Sequence, residues 1–111
     1  MRIEYTAAFL RQLRRLGRRY RHIRKDIEPV INELRAGKVL GDQIQHTGLT
    51  LFKVRVRNTD VQKGKSAGYR LIYYLKTPER IILVTIYSKS DQGDIDKAAL
   101  LRILEETGAS S

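Results

Sequence analysis

The stretch Ile81-Ile82-Leu83-Val84-Thr85-Ile86-Tyr87 limits the choice of fold most. It is almost wholly apolar and rich in β-branched residues, which suits a strand buried on both faces in the middle of a sheet. A mid-sheet strand needs neighbours. Leu51 to Arg57 and Tyr69 to Lys76 read as two strands of a meander leading into it. Thr77-Pro78-Glu79-Arg80 joins the last two through a tight turn, with Pro where a type I turn prefers it. Arg2 to Tyr5 reads as one further short strand.

The rest of the chain has a helical period. Thr6 suits a helix N-cap, because its hydroxyl can accept a free backbone N–H. Phe9, Leu13, Leu16, Tyr20, Ile23, Ile27, Val30, Ile31 and Leu34 then recur at spacings of three and four. Pro29 is disfavoured deep inside a helix but tolerated in a first turn. The pattern therefore predicts two helices bent between Arg18 and Asp26, the second starting near Asp26; one long kinked helix is the alternative. Gly37 suits the residue just past a helix end, and residues 38–49 read as a loop. Asp94 is expected to cap a last helix from Ile95 to Glu106, and Thr107 to Ser111 to fray. The predicted class is α+β with the order β-α-α-β-β-β-α, in one domain over residues 1–111. The helices are expected to cover one sheet face and leave the other for water or a ligand.

Charge narrows the choice of partner. Lys and Arg number 22 against 12 Asp and Glu, a formal net charge of +10 on 111 residues. So large a charge on a small domain works against compactness and suggests a negative partner: nucleic acid, an anionic membrane or an acidic protein. Cysteine is absent, which excludes disulfide and thiolate chemistry and fits a reducing cytoplasm. No apolar run approaches the roughly 20 residues that span a bilayer, and no apolar core follows Arg2 as in a signal peptide. A cytoplasmic protein without membrane contact is expected.

The cations are placed with some order. Alternation puts Lys53, Arg55 and Arg57 on one strand face and Phe52, Val54 and Val56 on the other. Lys63-Gly64-Lys65-Ser66 then forms a basic turn. It is not a P-loop: Thr59 stands where the first Gly belongs, and a strand rather than a helix follows. Eight cations fall within residues 11–25, among them Arg14 and Arg18. They read equally as a phosphate-tracking patch or as a solvated helix face, and docking of an acidic protein is a third reading. His22 and His46 have no ligand spacing around them, so no metal site is expected. Helix capping explains Ser90, Asp91 and Asp94 more simply than a triad or a cation site. Tyr69 and Tyr73 share a face with Leu71 and Leu75 and suit the core. Arg70 shares the opposite face with Ile72 and Tyr74. Tyr87 shares parity with Thr85 and Lys89, so its phenol would stack a base or relay a proton if that face is open.

Taken in order, three segments resemble the RelE/ParE superfamily of bacterial type II toxins, and most closely its HigB/RelE-like branch. They are Phe52-Lys53-Val54-Arg55-Val56, Gly64-Lys65-Ser66-Ala67-Gly68-Tyr69-Arg70-Leu71-Ile72-Tyr73-Tyr74, and Leu83-Val84-Thr85-Ile86-Tyr87-Ser88-Lys89-Ser90-Asp91. The resemblance implies a microbial RNase-like (RelE-like) fold, with an antiparallel-rich sheet and a helical hairpin on one face. It implies a toxin that cuts mRNA at the ribosome without cofactor or metal, partnered by a cognate antitoxin. By motif it implies Lys53, Arg55, Arg70 and Lys89 as catalytic; Tyr87 joins that set from its own place on the strand, and Arg57, Lys63, Lys65, Arg14 and Arg18 are expected as further RNA contacts from their charge. Ser90 departs from the Arg of the RelE pattern, and the Tyr near the start of the last helix is missing, leaving Tyr87 or Lys89 for proton transfer. A ParE-like gyrase inhibitor and a non-catalytic RNA- or ribosome-binding module are the other readings the fold admits.

Overall fold

The computed structural model describes residues 1–61 and 68–108. The elements run β1 (Arg2–Tyr5), α1 (Ala7–Arg19), α2 (Ile23–Arg35), β2 (Asp42–Gln43), β3 (Leu51–Val56), β4 (Tyr69–Thr77), β5 (Arg80–Ser88) and α3 (Lys97–Glu106). They build a five-stranded sheet in the order β1-β5-β4-β3-β2. Only β1 lies parallel to its neighbour, with Ile3 opposite Ile81; the other pairings are antiparallel. The apolar strand β5 is thus internal, as its composition demands. No helix among the described residues is long and apolar enough to cross a membrane.

Apolar residues pack on both sheet faces. On one, Phe9, Leu13, Leu16, Ile23 and Ile27 of the helical hairpin bury Val54, Tyr69, Leu71, Tyr73, Leu83 and Ile86. On the other, Leu100 and Leu104 of α3 pack on Leu51, Ile72, Tyr74, Ile82 and Val84. The expectation that all helices share one face is therefore corrected. A strand apolar on both sides needs cover on both, and α3 supplies the second. The cover is partial, which is what leaves room for a site.

Three local readings also change. Residues 38–49 hold β2, whose two residues are too few to show any period. The second helix begins at Ile23, so Pro29 lies inside it. Asp26 is not its cap; it accepts from Thr59 N at 3.0 Å and Thr59 Oγ1 at 2.8 Å, while Asp60 accepts from His22 N at 2.9 Å and pins the helix start. Pro29 is exposed, so the Lys25 carbonyl that loses its donor can meet water. Asp96, not Asp94, caps α3, accepting from Ala99 N at 3.0 Å.

The feature that matters most for the site is a bulge in β5. Ile72 pairs with Thr85, yet Tyr73 pairs with Leu83, leaving Val84 as the extra residue. A bulge shifts side-chain parity by one. Ile81 and Leu83 face the hairpin, as does Ile86, while Val84 and Tyr87 face the α3 side. Thr6 braces this point: its hydroxyl donates to Val84 O at 2.6 Å and accepts from Phe9 N at 2.9 Å, while its own N–H donates to Leu83 O. Thr6→Val keeps the volume but leaves a buried carbonyl and a helix N–H unpaired. It is expected to cost about 2–3 kcal/mol, read as a lower urea midpoint; a change under about 0.5 kcal/mol would remove the brace from the account.

Candidate active site

The α3 face of the sheet is divided along its strands. One half, under α3, is dry. Further along the same strands, the same parity carries Lys53 and Arg55 on β3, Arg70 on β4, and Tyr87 on β5, followed by Lys89. Register aligns three of them: Arg55 lies opposite Arg70, and Arg70 opposite Tyr87. Lys89 extends the pairing beyond β5 by donating its N–H to Gly68 O at 3.0 Å. Lys53, Arg55, Arg70, Lys89 and Asp94 line a cleft of about 320 Å³, whose far wall is Asp42, Gln43 and Ile44.

Like charges directly opposite one another destabilise a sheet, so the Arg55/Arg70 pair needs a reason other than folding. Arg70 is 5% exposed, and one of its nitrogens donates to Tyr69 O at 3.1 Å. Among the described residues no carboxylate lies within ion-pair distance of Arg55 or Arg70. A guanidinium pair without a counterion is a ready seat for an anion with several oxygens.

The other two cations are occupied. Asp94 Oδ1 accepts from Lys89 Nζ at 3.1 Å, from Lys53 Nζ at 3.2 Å, and from the Tyr87 hydroxyl at 3.4 Å. The Lys89 hydrogen bond, with Lys53 behind it, holds the Asp94 carboxyl below the usual aspartate range. Burial pushes the Tyr87 phenol up, so at neutral pH it is a proton donor. Asp94 therefore stays ionised through neutral pH, and what its ion pairs contribute is present above the ordinary aspartate value and lost as pH falls through the depressed one. Lys89→Ala is expected to move the Asp94 carboxyl titration, followed by NMR, upward toward the ordinary value; an unmoved midpoint would contradict the assigned cause.

The expected residues sort as follows. Lys53, Arg55, Arg70 and Lys89 meet in the cleft, and Tyr87 reaches it through Asp94. Arg57 does not: β3 ends at Val56, its alternation ends there too, and Arg57 lines a separate hollow with His22, Lys25, Asp26 and Asp60. Arg14 and Arg18 are exposed on α1, in the helical layer across the sheet from the cleft. Lys63 and Lys65 lie outside the described residues. Asp94 was read as a cap; the hint was that Asp94 and Asp96 both suit that role and one helix needs only one. Asp42 and Gln43 came with the unrecognised β2.

Other hollows carry less chemistry. One between the hairpin helices, of about 390 Å³, is lined largely by apolar side chains such as Tyr5, Phe9, Leu10 and Leu13. No group of three or more His, Cys, Asp or Glu suited to a metal ion occurs among the described residues. A family model described as the RelE toxin of the RelE/RelB toxin-antitoxin system matches residues 1–108.

Proposed function

The chain belongs to the RelE toxin family of toxin-antitoxin systems, and from that membership we propose that it is a metal-independent endoribonuclease that cuts mRNA at the ribosome and so stops translation. The observation that carries this reading is the cleft itself, where Lys53 and Arg55 of β3, Arg70 of β4 and Lys89 just past β5 converge on a space of about 320 Å³. In the proposed reaction the RNA 2′-oxygen loses its proton to solvent water and bonds to the adjacent phosphorus. The bond from phosphorus to the 5′-oxygen breaks, and that oxygen takes up a proton. The products are a 2′,3′-cyclic phosphate end and a 5′-hydroxyl end.

Negative charge grows on the non-bridging oxygens at the transition state, and preorganised donors aimed there lower the barrier. Arg55 and Arg70 hold those oxygens. Lys53, Lys89 and the protonated Tyr87 are the donors on the leaving-group side. A Lys base is not supported by the geometry, because both ammonium groups already donate to Asp94. DNA lacks the 2′-hydroxyl, so cleavage is confined to RNA. Arg14, Arg18 and Arg57 add to the field that draws a polyanion in. The partner set is mRNA, the ribosome and a cognate antitoxin, in the cytoplasm.

Primer extension on cellular mRNA after induction tests the reading. New 5′ ends should appear as growth halts. Intact transcripts together with DNA damage would point instead to a gyrase-directed toxin, for which the cation cluster has no evident use.

A further inference from the structure

Asp94 is out of place in a cleft suited to phosphate. Arg55 and Arg70 have no carboxylate within ion-pair distance among the described residues, whereas Lys53 and Lys89 share one Asp94 oxygen at 3.2 and 3.1 Å. The four cations thus form one compensated pair and one uncompensated pair. Resting on the RNA-cleaving reading of this cleft, we propose that Asp94 is an internal counterion that holds the phosphate seat on Lys53 and Lys89 in the free protein and is exchanged for an RNA phosphate on binding.

Three observations favour exchange over a fixed pillar or a proton acceptor. The Asp94 side chain is 59% exposed, and exposed ion pairs are weak and screened by salt. Its Oδ1 already accepts from three donors, and those lysines hold the carboxyl below the usual aspartate range, which makes it a poor base. The connector that carries it is anchored on either side. Asp91 pairs with Arg19 Nη1 at 2.6 Å, and Asp96 caps α3. Asp94 lies between these anchors, beside Gly93, where even an added Cβ would meet only open space. It can swing away while both anchors stay in place.

Exchange also selects the ligand. A lone phosphate reaches the lysines only by displacing a carboxylate of similar charge. An RNA strand that engages Arg55 and Arg70 as well gains two uncompensated cations, so the cleft favours an extended polyanion over a small anion.

The test uses a short, fully 2′-O-methylated oligoribonucleotide, which cannot be cleaved by 2′-attack, and fluorescence anisotropy on the full chain. Asp94→Asn is expected to bind it about three- to five-fold tighter, as when a competing exposed ion pair is removed. Lys53→Ala should weaken binding more in the Asp94→Asn background than in the wild type, because Lys53 is then uncompensated. Glu105→Gln, an equal charge change on the exposed side of α3, should bind as wild type does. Equal affinity of Asp94→Asn and wild type, with Arg55→Ala still weaker than both, overturns the counterion and leaves the cleft reading standing. Loss of cleavage in Asp94→Asn at unchanged affinity overturns it as well and places Asp94 in the chemistry. Affinity indifferent to both Arg55 and Lys53 overturns the RNA reading itself, and the counterion with it.

Discussion

Arg70→Ala is expected to lower mRNA cleavage by about 10²–10³-fold, the loss typical when one preorganised donor to a developing oxyanion is removed. Arg70 is the central member of the register Arg55–Arg70–Tyr87, with its guanidinium largely shielded from water. Its loss takes away half of the uncompensated pair. Stability should hardly suffer, since a cation facing Arg55 across the ladder is a strain on the sheet. The expected pairing is lost activity with an unfolding free energy within about 1 kcal/mol of wild type. Arg70→Lys keeps the charge but not the planar fork, and should fall between the two. Primer extension after induction, beside thermal unfolding of the purified variants, reads both quantities. Wild-type cleavage by Arg70→Ala would remove the cleft from the chemistry.

The largest structural effect is expected at Gly41. Its φ is +82°, and a Cβ added there would overlap the Lys53 carbonyl oxygen and lie 2.9 Å from Lys53 C and from Val54 Cγ2. Two of these atoms are backbone of the strand that carries Lys53 and Arg55, so relief requires moving that strand. Gly41→Ala should lose about 2–5 kcal/mol from left-handed strain and overpacking together. That corresponds to a Tm drop of at least about 10 °C. Cleavage should fall too, since a misplacement of about 1 Å in a positioned group can cost about 10²-fold. Gly48→Ala separates the two causes. Its φ is +75°, but nothing lies within 4 Å of the added Cβ, so only the strain of about 1–2 kcal/mol remains. Equal losses at the two glycines would mean the overlap at Lys53 is relieved without cost.

Features set by local chemistry could be read from the chain directly. The Thr6 cap, the bend between α1 and α2, and the burial of Tyr69 and Tyr73 each follow from a few neighbouring residues. So does the shared face of Lys53, Arg55 and Arg70, because β3 and β4 keep strict alternation over those positions. What escaped depends on distant partners. Pro29 sits within α2 because Asp60, from beyond β3, fixes where that helix starts. The two residues of β2 form a strand only because Phe52 and Lys53 are there to pair with. Asp94 and Asp96 are chemically equal as caps, and only the placement of Lys53 and Lys89 separates their roles. The RNA contacts expected at Arg57, Arg14 and Arg18 came from counting charge without knowing which side of the sheet each residue reaches.

The bulge at Val84 makes the far end of β5 a matter of counting. Every side chain from Thr85 to Lys89 owes its direction to Val84 standing outside the ladder. Pairing the same sequence without the bulge would turn Tyr87 into the oily interior and Ile86 out toward the ligand, whereas deleting Val84 would set Leu83 and Thr85 side by side opposite Tyr73 and Ile72 and keep the later side chains on their present faces. A designer moving the cleft to another scaffold would have to keep Thr85 opposite Ile72 and Tyr87 opposite Arg70 along with the charged residues.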